Sequence, residues 1–215
     1  MLSTLSKGRG RDFAQIEMGK LDYLPHPARG VPNAIVRRIS TPEETVESRA
    51  KILGHPIHQM LVPFPFGLLA TAAIFDVVQL VSGNGYWSEI AFWMIAAGVI
   101  GGLVAAPFGF ADWLKIPDHT RARRVGRVHG LGNLAVVVLY AVSWWLRSDA
   151  PRAPEPLALA LSFAGFALAG LTGWLGGELV DRLGVGVDDG AHLDAPSSLS
   201  GHPAATSSSH GARRA

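Results

Sequence analysis

Apolar residues in this chain are gathered rather than spread, with four long runs at 60–81, 90–111, 128–146 and 157–177 standing between polar segments. A hydrocarbon core about 30 Å thick takes roughly 20 helical residues at about 1.5 Å each. The runs hold 22, 22, 19 and 21 residues. Asp76 is the single charge in the first, the third carries His129 but no Asp, Glu, Lys or Arg, and the second and fourth have no charge. A helix of that length on the surface of a soluble domain would show a charged face every turn or two. The pattern therefore predicts an all-α fold, an integral membrane four-helix bundle over 53–187, with a polar N-terminal extension at 1–52 and a polar tail at 188–215.

The flanks read differently from the centre. Thr41-Pro42-Glu43-Glu44 combines a capping hydroxyl, a proline at the first helical position and an acidic first turn, and predicts a short surface helix near 42–53. Residues 1–40, with Pro25, Pro27, Pro32 and Gly30, show no sustained period and are expected to be extended or ordered by a partner. The tail is Ser, Ala, Gly, Pro and His, too poor in apolar surface to offset the entropy of ordering, and is expected to be disordered. His192, His202 and His210 within it are too far apart to suggest a metal site.

Composition adds exclusions. The chain has no cysteine, which rules out disulfides, iron–sulfur clusters, thiolate nucleophiles and covalent c-type haem within it. The first 50 residues lack the apolar stretch of a signal peptide. Net charge is only +2, but its distribution is informative. Arg49, Lys51, Lys115, Arg121, Arg123, Arg124, Arg127 and Arg182 flank one set of span ends, against Arg147 and Arg152 on the other. Basic residues stay on the cytoplasmic side, so both termini and the loop between the second and third spans are expected there, in a multi-pass protein of the inner membrane. The Arg121–Arg124 run is thereby accounted for without a nucleic-acid partner. No G-x-S-x-G, P-loop or G-x-G-x-x-G motif supports a soluble enzyme.

Lipid tails are as apolar as leucine, so spans associate through close packing of small residues. Gly165, Ala169, Gly173 and Gly177 recur every four residues in the fourth span, as do Gly98, Gly102 and Ala106 in the second, and these stripes are expected to be packing seams. Pro63, Pro65 and Pro107 predict local kinks. The six tryptophans lie near span ends, where an amphipathic ring prefers to sit.

Ionisable groups at membrane depth are costly and usually face the bundle interior with a partner. Four crossings bring the start of span one, the end of span two, the start of span three and the end of span four to one membrane face. Those ends carry His55 and His58, Asp112, His129 and Glu178. In the third span His129, Asn133, Val136 and Tyr140 form a stripe at i, i+4, i+7 and i+11. His58 and Asp76 share a face of the first span, five turns and roughly 27 Å apart, an arrangement open to a proton or ion path or to two unrelated interhelical hydrogen bonds. His58 and His129, with His55 and Asn133 nearby, are candidates to hold haem b; with Asp112 and Glu178 the same histidines are candidates for a divalent metal. Hydrogen-bonding groups that tie helix ends are the alternative. No tight ligand spacing such as H-E-x-x-H occurs, and no catalytic residue is assigned.

The motifs G-H-P-I-H-Q-M-L-V-P-F-P-F-G-L at 54–68, F-A-D-W-L-K-I-P at 110–117, R-V-H-G-L-G-N at 127–133 and G-W-L-G-G-E-L-V-D-R-L-G-V-G-V at 173–187 resemble, in this order, the DUF2231 family of bacterial membrane proteins. The resemblance covers roughly 53–187. It implies four spans, no settled activity, and an electron-transfer setting, since similar domains occur beside Rieske or c-type cytochrome modules. The function expected from residues and resemblance together is a haem- or metal-binding redox component; the alternative is a non-catalytic subunit of a larger membrane complex, docked on other membrane or redox subunits through its N-terminal extension.

Overall fold

A computed structural model describes residues 45–204. Two short strands, β1 (Lys51–Ile52) and β2 (His55–Pro56), precede helices α1 (Ile57–Leu61), α2 (Pro63–Ser82), α3 (Gly85–Lys115), α4 (Arg121–Leu146) and α5 (Pro156–Gly177), and α5 continues into a π-helical turn at Glu178–Arg182. With α1 and α2 taken as one run, four helices of 26 to 31 residues are long and apolar enough to cross a membrane. Their outward faces are apolar: Phe64, Val81, Trp93, Leu131, Trp145 and Trp174 are all exposed. Water would penalise such a surface, whereas hydrocarbon does not.

The connections follow from local chemistry. Val62 keeps helical dihedrals, so α1 and α2 are nearly continuous, with the missing N–H of Pro63 marking the break. Gly83 ends α2 in the left-handed conformation, and the Asn84 side chain accepts from the Tyr86 N–H to start α3. Thr120 caps α4 in the same way, accepting from the Arg123 N–H. Consecutive helices form two antiparallel hairpins, α2 on α3 and α4 on α5, joined chiefly through α3 and α4.

The α4–α5 seam sets a large residue of one helix against a small one of the other. The His129 ring lies over Gly176, Asn133 bonds Thr172, and the Tyr140 ring covers Gly165, where a Cβ would come within 2.9 Å of it. Val136 and Ala169 share the core cluster, and Ser143 donates to the Ala158 carbonyl at 2.6 Å. The α4 stripe expected from the sequence is therefore real and runs further, through Ser143 to Arg147. The glycine stripes need correction. The α5 seam is Gly165, Ala169, Thr172 and Gly176, and that of α3 is Gly98, Gly102, Ala105 and Gly109, while Ala106 is exposed. Four residues turn a helix by about 400°, so strict four-residue spacing drifts off one face, whereas steps of four, three and four stay on it.

One ion pair ties three helices together. Arg147, counted by sequence with the outer loop, is fully buried and makes two parallel hydrogen bonds of 2.7 Å to the carboxylate of Asp76, itself fully buried. Ser162 of α5 donates to the same carboxylate at 3.0 Å, and Ser143 accepts from the Arg147 Nε at 3.2 Å. Nearby, the Tyr140 hydroxyl donates to the Leu69 carbonyl of α2 at 3.1 Å.

The expected helix near 42–53 is absent over its described part, 45–53, and its first three residues lie outside the described residues, as do 1–40. The segment instead forms a strap. Val46 donates to the Gly184 carbonyl (3.0 Å) and accepts from Gly186 (2.7 Å), and a two-residue turn at Leu53–Gly54, with φ of 50° and 84°, reverses β1 into β2. Glu47, Lys51 and Asp188 add a surface ion network. Tertiary contacts override the helix-start signal here. Residues 188–204, expected without order, follow turns that bring Ser198 against Gly54.

Removing one partner of the Asp76–Arg147 pair leaves an unpaired buried charge. Asp76→Ala is expected to cost about 3–5 kcal/mol, read as a lowered midpoint of unfolding in detergent, while Asp76→Asn with Arg147→Gln recovers at least half of the loss. At the strap, the Asp189 N–H and then Lys51 hold the Glu47 carboxyl below its ordinary value of 4.5. A depressed pKa contributes stability that is present above 4.5 and lost as pH falls through the folded value. The protection of the Val46 and Gly186 amides, measured as exchange rate relative to the intrinsic rate at each pH, should therefore fall on acidification below pH 4.5, and less so in Glu47→Gln.

Candidate functional site

Four helices present polar side chains at the end of the bundle where α1 starts and α5 finishes. His129, two turns into α4, donates through Nδ1–H to the Thr172 carbonyl of α5 at 2.9 Å. Its Nε2 lies 3.2 Å from the Asn133 side-chain nitrogen, one turn on, which donates to it. That same amide donates to the His129 carbonyl at 2.9 Å, and its oxygen accepts from the Thr172 hydroxyl at 3.0 Å. This closed ring spends both imidazole nitrogens and settles the tautomer as Nδ1–H. Gly132 makes room for it, since a Cβ there would meet the Thr172 methyl at 2.5 Å.

His58 repeats half of this arrangement on the other hairpin. Its Nδ1 donates to the Ala105 carbonyl at 3.1 Å, and its ring lies flat on Gly109, where a Cβ would come within 3 Å of three ring atoms. The His58 Nε2 has no hydrogen-bond partner among the described residues. A histidine whose Nδ1–H is held by a backbone carbonyl keeps its Nε2 lone pair aimed and available.

The other expected site residues go elsewhere. Asp112, in the last turn of α3, accepts from the Ser48 hydroxyl at 2.7 and 2.8 Å and from the Arg49 N–H at 2.6 Å, pinning the strap to the bundle. Glu178 accepts from Arg121 at 2.6 Å. His55 is exposed on β2, with its Nε2 3.4 Å from the Ser198 hydroxyl. Topology thus brings His129 and Asn133 together and places His58, Asp112 and Glu178 at the same end, but each has its own partner. Among the described residues no three His, Asp or Glu side chains form a group able to hold a metal ion. Haem ligation by His129 would require Asn133 to release Nε2.

Sequence reasoning missed Thr172, Arg147, Ser162 and Ser48. Thr172 had a signal, the small-residue face opposite the His129 stripe. Arg147 had another, since Asp76 at membrane depth demanded a partner and the α4 stripe extends to position 147 in heptad-like steps. Ser48 had none.

A scan against family models matches residues 54–189 to the predicted membrane protein family DUF2231. The chain belongs to the DUF2231 family. The match begins at Gly54, in the turn of the strap, and ends just beyond the π-helical turn, so this family domain includes all four spans, the His129 ring and the Asp76 pair. Neither the curated proteins nor the solved structures contain a match.

Interhelical hydrogen bonds in membranes are worth roughly 0.5–2 kcal/mol. Asn133→Ala removes one of these, to Thr172, together with two bonds to His129 within α4, and leaves His129 Nε2 to find a new partner while the Thr172 hydroxyl keeps the Ala169 carbonyl. The variant is expected to lose about 2 kcal/mol, measured as thermal stability in detergent. Thr172→Val, which deletes the hydroxyl's contacts with Asn133 and the Ala169 carbonyl but keeps the shape and the Asn133–His129 bonds, should lose less.

Proposed function

We propose that this DUF2231 protein is a non-catalytic subunit of a larger membrane complex of the inner membrane, anchored by its four spans and docked through its polar N-terminal extension. The observation that supports this reading is that two clusters of polar side chains in the spans are committed within themselves. Asp76, Arg147 and Ser162 satisfy each other, as do His129, Asn133 and Thr172, and Asp112 holds the strap. Groups arranged in this way hold helices in register rather than face a substrate. The burial of Arg147 also sharpens the charge asymmetry behind the expected orientation. Arg152 remains the one basic residue in its loop, paired with Glu89, which supports a cytoplasmic side for the strap and the α3–α4 connection.

A second reading rests on His58 alone. With Nδ1–H held by the Ala105 carbonyl, its Nε2 is oriented as a ligand nitrogen would be, so a haem or divalent metal held there, with His129 freed from Asn133, is the redox alternative. Two measurements separate the readings. Deletion of residues 1–40 is expected to abolish co-purification of partner subunits from native membranes while leaving the bundle folded; a chain that remains monodisperse and alone with or without that segment argues against a subunit role. Protein purified from haem-sufficient cells is expected to lack a Soret band; a band that disappears in His58→Ala would move the assignment to the redox alternative.

A further inference from the structure

The α3–α4 connection and the first two turns of α4 enclose a cleft of about 520 Å³ lined by Asp118, His119, Thr120, Arg123, Arg124 and Arg127. This lies within the range of about 300–1,000 Å³ usual for small-ligand sites. Its cations are unequally engaged. Arg123 is fixed, stacked 3.8 Å from the Trp113 ring centroid, donating to the Trp113 and Ile116 carbonyls, and 3.3 Å from Asp118. Arg121 is taken by Glu178. Arg124 and Arg127 are exposed and enter no ion pair among the described residues. The cleft thus holds three guanidinium groups against one carboxylate, and two of the three are uncommitted.

What lies beneath those two arginines on α4 identifies the ligand. Residues four apart on a helix share a face. Arg124 stands one turn above Val128, and Arg127 stands above Leu131, Leu134 and Val138, at i+4, i+7 and i+11. All four apolar residues are exposed, by 52% to 62%. A basic cleft therefore opens directly onto an unbroken apolar track running down the span. A soluble phosphate or a nucleic acid would use the first feature and leave the second bare. A molecule with an anionic head and hydrocarbon tails uses both.

We propose that this cleft binds the phosphate-bearing headgroup of an anionic phospholipid, with Arg124 and Arg127 on the phosphate and an acyl chain along Val128, Leu131, Leu134 and Val138. Arg123 is the fixed wall of the site, and Asp118 orients it.

The test uses the full chain in neutral detergent, titrated with long-chain phosphatidylglycerol or phosphatidylcholine and read by native mass spectrometry. Because a basic residue at a membrane surface contributes about 1 kcal/mol toward anionic lipid, two give a preference for phosphatidylglycerol of about tenfold or more. Arg124→Gln with Arg127→Gln should erase that preference, with the thermal midpoint in phosphatidylcholine unchanged. The lysine pair at the same positions should keep most of it, and so should Arg182→Gln, an exposed basic residue outside the cleft. Equal retention of the two lipids, or full preference in the glutamine pair, overturns the proposal. Inorganic phosphate or a short-chain phosphatidylglycerol competing as well as the long-chain lipid also overturns it, since the apolar track would then contribute nothing.

Discussion

The Asp76 carboxylate is an acceptor placed where no water can reach it, and much of the bundle is arranged around meeting its demand. Hydrocarbon offers no hydrogen bonds, so an ionised carboxylate at membrane depth must be matched by the protein itself. Arg147 supplies both charge and geometry, because a planar guanidinium meets a carboxylate with two parallel bonds, which lysine cannot do. Ser162 fills a remaining lone pair. The two hairpins have little else of comparable strength between them, since close packing of small residues is non-directional. The pair therefore sets the rotation and depth of α4 relative to α2, and the pairing of α4 with α5 carries that setting across the bundle.

From this setting the other polar contacts follow. The same α4 face that ends in Arg147 begins with His129, five turns away, and its side chains meet small residues of α5 along the whole length. A large residue set against glycine, alanine, serine or threonine at each level lets the helices approach closely while keeping a unique register. The helix pair resembles a rack with matched teeth: displacement by one residue would set Tyr140 against Ala164 or Phe166 instead of Gly165 and open the hydrogen bonds among His129, Asn133 and Thr172. Polar contacts fix which register is chosen, and dispersion makes it tight.

Much of this was legible in the sequence. The four spans could be read from length alone, and the 4-3-4 stripe on α4 from its spacing. Asp76 announced that a partner must exist. Arg147 was hidden because a charge just past an apolar run is ordinarily an interfacial residue; only continuing the stripe beyond Tyr140 would have carried it into the bundle. The glycine seams run one residue off the expected stripes from Thr172 and Ala105 onward, because equal four-residue steps look regular in a string but rotate on a helix. The segment at 45–53 was misread for a different reason. Its helix-start signal is sound locally, but Asp112 and the backbone near Val185 offer it better partners from far along the chain. The candidate site was legible as a set of residues and not as a geometry. Depth and topology said which side chains share a level, and nothing in the string said which of them would bond to one another.

The insertion of Val46 between Gly184 and Gly186 has a consequence for whatever the two extensions meet. The chain enters the family domain and leaves it through the same backbone bridge. A partner gripping the first extension is thereby held beside the second, at the high effective concentration that tethering confers. Two individually weak contacts, one made by each extension, would then act as a single strong one.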